Sequence, residues 1–184
     1  MEATDILKEE HRVIERVLAS IEAGATRLMA AEPMSPSFFI DATDFIKGFA
    51  DGCHHKKEEG VLFPAMEAAG VPAEGGPIAV MLAEHQEGRR LTAAMRAGAE
   101  KLQSGDIAAR TAVADYALQY VALLRQHIAK EDNVLFPMAD RAIQGPAETR
   151  VTEAFDHIEH EETGEGVHER FLALAESLER QVAP

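Results

Sequence analysis

His54-His55-Lys56-Lys57-Glu58-Glu59-Gly60-Val61-Leu62-Phe63-Pro64 aligns without gaps on His127-Ile128-Ala129-Lys130-Glu131-Asp132-Asn133-Val134-Leu135-Phe136-Pro137, and seven of the eleven positions are identical. A Glu-His pair precedes each copy, Glu10-His11 before the first and Glu84-His85 before the second, at separations that differ by one residue. The chain therefore reads as a duplicated pair of helices. On a helix, residues four apart differ by only about 40° in direction. His54 with Glu58, and His127 with Glu131, each project an imidazole and a carboxylate from one face.

Outward from the repeat, helix signals recur at regular intervals. Thr4 is a candidate N-cap ahead of Ile6, Leu7, Ile14, Leu18 and Ile21, and this helix runs to about Met29. Ser35-Pro36 opens a second helix that carries Phe39, Phe45, Ile46 and Phe49 towards the first repeat. Gly70 to Pro77 must be a connection, a third helix leads to Leu102, and Ser104-Gly105-Asp106 breaks and recaps the chain before a fourth that ends at Gly145-Pro146. Short links between four long helices predict an all-α, antiparallel up-down four-helix bundle over 1–145. Residues 146–184 form an additional C-terminal helical segment, interrupted at Gly164 and Gly166, that packs on the bundle as a kinked or split helix.

His11 and His85 fall on the inward apolar stripes of the first and third helices, beside Leu7 and Leu18 and beside Ile78 and Met81. Four helices would aim four imidazoles and two carboxylates at one volume. Buried without a compensating charge, such a set is costly, whereas shared metal ions convert the cost into coordination. A single His-x-x-x-Glu is commonly an ordinary surface pair; two copies at matched spacing, each with a matched upstream histidine, point to a metal site. Imidazole with carboxylate and no thiolate suits iron, ahead of manganese or zinc.

These residues, with Leu62-Phe63-Pro64 and Leu135-Phe136-Pro137, resemble the hemerythrin HHE cation-binding family over roughly Thr4 to Asp140. The resemblance implies a bundle holding two irons bridged by an oxo or hydroxo group. It makes His11, His54, His85 and His127 terminal ligands and Glu58 and Glu131 the bridging carboxylates. Ferritin-like bundles use the opposite order, Glu-x-x-His. The pattern departs in one place: where oxygen-carrying hemerythrins have a fifth histidine four residues past His85, this chain has Arg89, which cannot ligate. Four histidines, two glutamates and one bridging oxygen would then leave one position on each metal. Candidates for an extra donor or a nearby hydrogen bonder are His55, Tyr116, Tyr120 and Glu159. His55 diverges from His54 by about 100° and reads as a boundary or surface residue; Tyr120, seven residues before His127, reads as a core residue or hydrogen bonder. Arg89 reads as a partner for Glu58 or Glu131, a gate, or a surface salt bridge. His157, His160 and His168 read as solvent-facing, Met66, Met81 and Met95 as core, and Cys53 as a small buried apolar residue.

The 32 acidic against 18 basic residues give a net charge of −14, which disfavours nucleic acid and anionic membrane surfaces as partners. One cysteine makes no internal disulfide, the N-terminal stretch lacks a signal-peptide pattern, and no apolar run reaches membrane-spanning length, so a cytoplasmic location is expected. The functional expectation is redox chemistry on dioxygen, hydrogen peroxide or nitric oxide, including catalase-like peroxide disproportionation. Non-catalytic binding, storage, delivery or sensing of oxygen, nitric oxide or iron is the alternative, and a metal-free interaction bundle is the third possibility.

Overall fold

The computed structural model describes residues 1–164 and 166–183, and among these there is no strand. Six helices account for them: α1 (Glu2–Met29), α2 (36–68), α3 (Pro77–Gln103), α4 (109–142), α5 (146–163) and α6 (Val167–Val182). The first four are the bundle. α1 packs on α4, α4 on α3 and α3 on α2, while α6 lies across α1 and α2 and α5 packs against α1. Antiparallel alternation follows from where the repeat residues fall: His11 and His85 stand near the starts of α1 and α3, and His54 and His127 well along α2 and α4, yet all meet at one level.

Helix ends obey the expected chemistry with one exception. Ser35 Oγ accepts from Ser37 N–H at 3.3 Å and Pro36 takes the first helical position. Pro77 and Pro146 likewise sit in the first turns of α3 and α5, and Gly145 adopts a φ of +61° to end the preceding chain. Thr4 is not a cap. α1 begins two residues earlier, and Thr4 Oγ1 instead lies 2.7 Å from both Met1 O and Asp140 Oδ1, tying the start of α1 to the end of α4.

α2, α4 and α5 also contain wide π turns that periodicity does not signal: Ile46–His54 and Glu58–Leu62 in α2, Glu131–Leu135 in α4 and Ile158–Thr163 in α5. In the repeats each starts on the glutamate. An i→i+5 turn inserts an extra residue per turn and re-aims the side chains beyond it, which is why such turns concentrate at functional sites.

Two apolar layers enclose the repeat level. The larger holds Ile14, Leu18, Phe38, Phe45, Phe49, Leu91, Met95, Tyr120, Leu124 and Ile128, with Phe171, Ala175 and Leu178 of α6. The smaller holds Leu7, Leu62, Phe63, Met66, Ile78, Met81, Phe136 and Phe155. α6 seats through Gly48, where a Cβ would lie 1.9 Å from the tip of the Phe171 ring. Gly48→Ala is therefore expected to cost about 1–3 kcal/mol by overpacking, read as a lowered urea midpoint with unchanged slope. An unaltered midpoint would show that α6 is not seated there.

Candidate metal centre

Between the two layers His11, His54, His55, His85, His127, Glu58 and Glu131 converge, none of them more than 4% exposed. Their ligand atoms form two clusters, His11-His54-Glu58-Glu131 and His55-Glu58-His85-His127, with the atoms of each within 4.8 Å of one another. Glu58 belongs to both, and Glu131 reaches from the first to His127 of the second. Glu58 turns Oε1 towards His54 Nε2 (3.6 Å) and Oε2 towards His85 Nε2 (3.4 Å). Glu131 turns Oε2 towards His11 Nε2 and Oε1 towards His127 Nε2, each at 3.2 Å.

These approaches are close without being satisfied. His11 Nε2, His54 Nε2 and all four oxygens of Glu58 and Glu131 are buried and lack hydrogen-bond geometry to any partner. His85 Nε2 and His127 Nε2 face each other at 3.1 Å. A protein does not ordinarily orphan that many buried polar atoms. Cations between them would satisfy all at once, so the donor set fits a bound metal.

Each imidazole is held from behind by a carboxylate. His11 Nδ1 meets Asp132 Oδ1 at 2.7 Å and His85 Nδ1 meets Glu59 Oε1 at 2.7 Å; His54 Nδ1 meets Glu10 Oε2 at 2.9 Å and His127 Nδ1 meets Glu84 Oε2 at 3.0 Å. Phe136 stacks on His11 at 5.4 Å and Phe63 on His85 at 6.0 Å. Carboxylates on the distal nitrogen fix the tautomer and leave Nε2 free as donor. Over residues 2–139 the chain matches the model of the hemerythrin HHE cation binding domain.

The chain belongs to the hemerythrin HHE cation-binding family. It is also similar to the uncharacterized proteins Rv1995 of Mycobacterium tuberculosis and Mb2018 of Mycobacterium bovis, each 29% identical over 98% of this chain and 70% of the relative. The iron-sulfur cluster repair protein YtfE of Musicola paradisiaca is 34% identical over 51% of this chain and 42% of that protein. No solved structure matches significantly.

Within this hemerythrin-like bundle His55 does not sit at the surface. It is buried, stacks on His85 with centroids 3.9 Å apart, and its Nδ1 meets Asp51 Oδ1 at 2.9 Å. Its divergence from His54 sends it to the other cluster instead of to solvent, because the centre is wide enough to receive two adjacent residues. Arg89 contacts neither Glu58 nor Glu131; it pairs with Glu59 at 2.5 Å and Asp51 at 3.4 Å. Tyr120 is 1% exposed with an unpartnered hydroxyl, and its ring edge lies 3.6 Å from where a Cβ on Gly88 would be. Tyr116 is half-buried at the edge of the larger layer. Glu159 touches no cluster atom and instead meets Lys57 Nζ at 2.5 Å. His157 and His160 are exposed, whereas His168 is half-buried and meets Glu159 at 3.0 Å.

Sequence reasoning passes over Glu10, Glu84, Glu59, Asp132, Lys57 and Lys130 as contributors to the centre. The signal is present: all six occupy matched positions in the two copies, acidic facing acidic and lysine facing lysine.

Electrostatics follow from burial set against these contacts. Burial opposes the charged form of His11, but the hydrogen bond with Asp132 and the close, negatively charged Glu131 prevail and raise it to about 9. His85 rises to about 9 in the same way through Glu58 and Glu59. Burial, aided by the charge of His85, takes His127 down to about 4. In the carboxylate pair, burial and the charge of Glu58 push Glu131 up; burial opposes ionisation of Glu58 too, but the surrounding histidines, His54 first, keep it down. Burial, then Glu10, lifts Cys53 to about 11, an inert thiol.

At neutral pH the metal-free centre thus carries protons on His11, His85 and Glu131. Metal uptake at pH 7 is expected to expel about three protons per chain. The number falls as pH rises through about 8, where Glu131 loses its proton, and about 9, where His11 and His85 lose theirs. Calorimetric titration in buffers of different ionisation enthalpy checks this; release that does not fall across that window would contradict the assignment.

Proposed function

We propose that the protein holds a pair of iron ions between α1, α2, α3 and α4 and acts through them on a small ligand: dioxygen, hydrogen peroxide or nitric oxide. The observation that carries this reading is the placement of Glu58 and Glu131, each offering one oxygen to each cluster with no protein hydrogen bond to either. His11 and His54 would hold one ion, His55, His85 and His127 the other, and both glutamates would lie between. When bound, an iron pair supplies ferrous–ferric redox chemistry and a place for a small ligand to bind. Imidazoles with carboxylates and no thiolate favour iron ahead of manganese or zinc.

The chain's own residues do the rest. Three imidazoles on one side against two on the other leave the His11–His54 side less filled by protein, which favours it for an exogenous ligand. The apolar layers exclude water, and Phe63 and Phe136 fix the planes of His85 and His11. The Tyr120 hydroxyl, with no protein acceptor, is available to donate to a ligand. A groove of about 650 Å³, lined by Lys47, Asp51, Arg89 and Arg96 among others, reaches Asp51 and Arg89 behind His55 and His85, on the side with three imidazoles. Peroxide disproportionation, two hydrogen peroxide giving dioxygen and two water, needs no further reductant and is the enzymatic form of the proposal.

A second reading is binding without turnover, in storage, delivery or sensing of oxygen, nitric oxide or iron. The likeness to a protein named for iron-sulfur cluster repair favours it. No helix among the described residues is long and apolar enough to cross a membrane. The lone, buried Cys53 fits a reducing, cytoplasmic setting. We read 1–145 as the metal-binding unit and 146–184 as an extension packed on it.

Metal analysis after expression in iron-rich medium should find two irons per chain. His54→Ala, Glu58→Ala, His127→Ala and Glu131→Ala should each lose iron, while exposed His160→Ala keeps it; equal content across all five would overturn the assignment. Hydrogen peroxide added to the loaded protein should evolve dioxygen. Reversible spectral change without consumption would favour the binding reading, and no change at all would end both. Tyr120→Phe should keep both irons but release nitric oxide about tenfold faster, the effect of losing a hydrogen bond worth about 1.4 kcal/mol; an unchanged off-rate would remove Tyr120 from the site.

A further inference from the structure

The two halves of the centre differ in how the lysine behind each imidazole is treated. Lys130 reaches Glu84 from a side chain that is 40% exposed. Its counterpart Lys57 is 0% exposed and lies 2.5 Å from both Glu10 Oε1 and Glu159 Oε2. Glu159 stands in α5, where His168 Nδ1 of α6 approaches it at 3.0 Å without hydrogen-bond geometry, and both residues fall outside the 2–139 stretch that matches the family. The described residues thus contain one unbroken line of contacts, His168–Glu159–Lys57–Glu10–His54, running from the C-terminal segment to the centre. Among them, Lys130 makes no matching contact with the C-terminal segment.

We propose that Glu159 is a positioning residue for the metal centre, through which the C-terminal segment sets the donor strength of His54 and so tunes one metal position and not the other. The proposal rests on the iron-pair reading above. Glu10 accepts from both Lys57 and His54, and Cys53 Sγ approaches it at 4.0 Å. A buried ammonium with no other acceptor would settle wholly on Glu10 and weaken that carboxylate's hold on His54 Nδ1–H. Glu159 shares the ammonium, so Glu10 keeps its grip, and a firmly held Nδ1–H makes Nε2 the better metal donor. In the second half solvent can do the sharing, since the Lys130 side chain, in direct contact with Glu84, is still 40% exposed. The extension therefore replaces solvent behind one imidazole of the pair.

Glu159 is a fair place to test this. Its side chain is 28% exposed and lines a groove of about 370 Å³ with Glu10 and His168, so a neutral isostere meets water and the fold has no reason to fail. The full chain is loaded anaerobically with iron(II), and its release to a ferrous chelator is followed in wild type, Glu159→Gln and His168→Ala. In Glu159→Gln one of two iron equivalents should leave about tenfold faster, at the lower end of what loss of an outer-shell partner does to metal affinity. The other equivalent should leave at the wild-type rate, with the thermal midpoint of the metal-free protein unchanged. His168→Ala, which loosens Glu159 without removing its charge, should move the same equivalent by less. Wild-type rates for both equivalents in Glu159→Gln, or equal acceleration of both with a fallen midpoint, would make Glu159 a mere docking contact and overturn the proposal. Wild type holding fewer than two equivalents would instead overturn the iron-pair reading, and this inference with it.

Discussion

Seven ionisable side chains share a volume from which water is excluded, and the rest of the structure is organised around making that tolerable. Burying even one unpaired carboxylate is expensive enough that the group would rather take a proton. Without metal the cluster does so: Glu131 is pushed towards its protonated form while Glu58 stays ionised, and His11 and His85 hold protons against their burial. Protons satisfy the charge, yet both oxygens of each glutamate remain without a hydrogen-bond partner. Cations satisfy both requirements, which is why the arrangement reads as a site and not as a misplaced ionic core.

Such a cluster needs to be held rigidly, and duplication supplies the means. Each half contributes both residues that face inward and residues that brace the other half. α4 provides Asp132 and Phe136 behind His11 of α1, and α2 provides Glu59 and Phe63 behind His85 of α3. Neither helix pair can set all its own histidines; His11 and His85 are positioned only when the two halves dock. The fold and the site are thus specified by the same contacts, which accounts for the density of matched positions between the two stretches.

How much of this can be read from the chain depends on whether a feature is periodic. The four helices, their junctions at Ser35-Pro36, Gly70 to Pro77, Ser104-Gly105-Asp106 and Gly145-Pro146, and the convergence of His11, His54, Glu58, His85, His127 and Glu131 follow from repeats of 3.6 residues and of half the bundle. The bracing carboxylates are legible in the same alignment, since position and charge recur together. The π turns are not periodic, but those in the repeats begin on Glu58 and Glu131 and end two residues before Pro64 and Pro137, which lack the N–H that an ordinary α turn would use. His55 misleads for a different reason. An angular argument treats the interior as a point, and a centre with two positions subtends an arc wide enough for neighbours on the chain. The role of Glu159 is hidden because its meaning lies in Lys57, more than a hundred residues away, and pairing at that distance leaves no trace in spacing.

The departures from the repeat carry the chemistry that the repeat cannot. Two identical halves would give two identical metal positions, with nothing to say where a ligand should bind. His55, whose counterpart is Ile128, gives one cluster a third imidazole. Glu159, with no counterpart, gives the other cluster a braced His54 backed by a buried lysine instead of by solvent. Both differences act on the first repeat, and they act in opposite directions: one adds a protein donor, the other strengthens a donor where fewer are present. A cluster with two imidazoles depends more on the quality of each than a cluster with three. That is where the chain has placed its buried Lys57 and the segment that covers it.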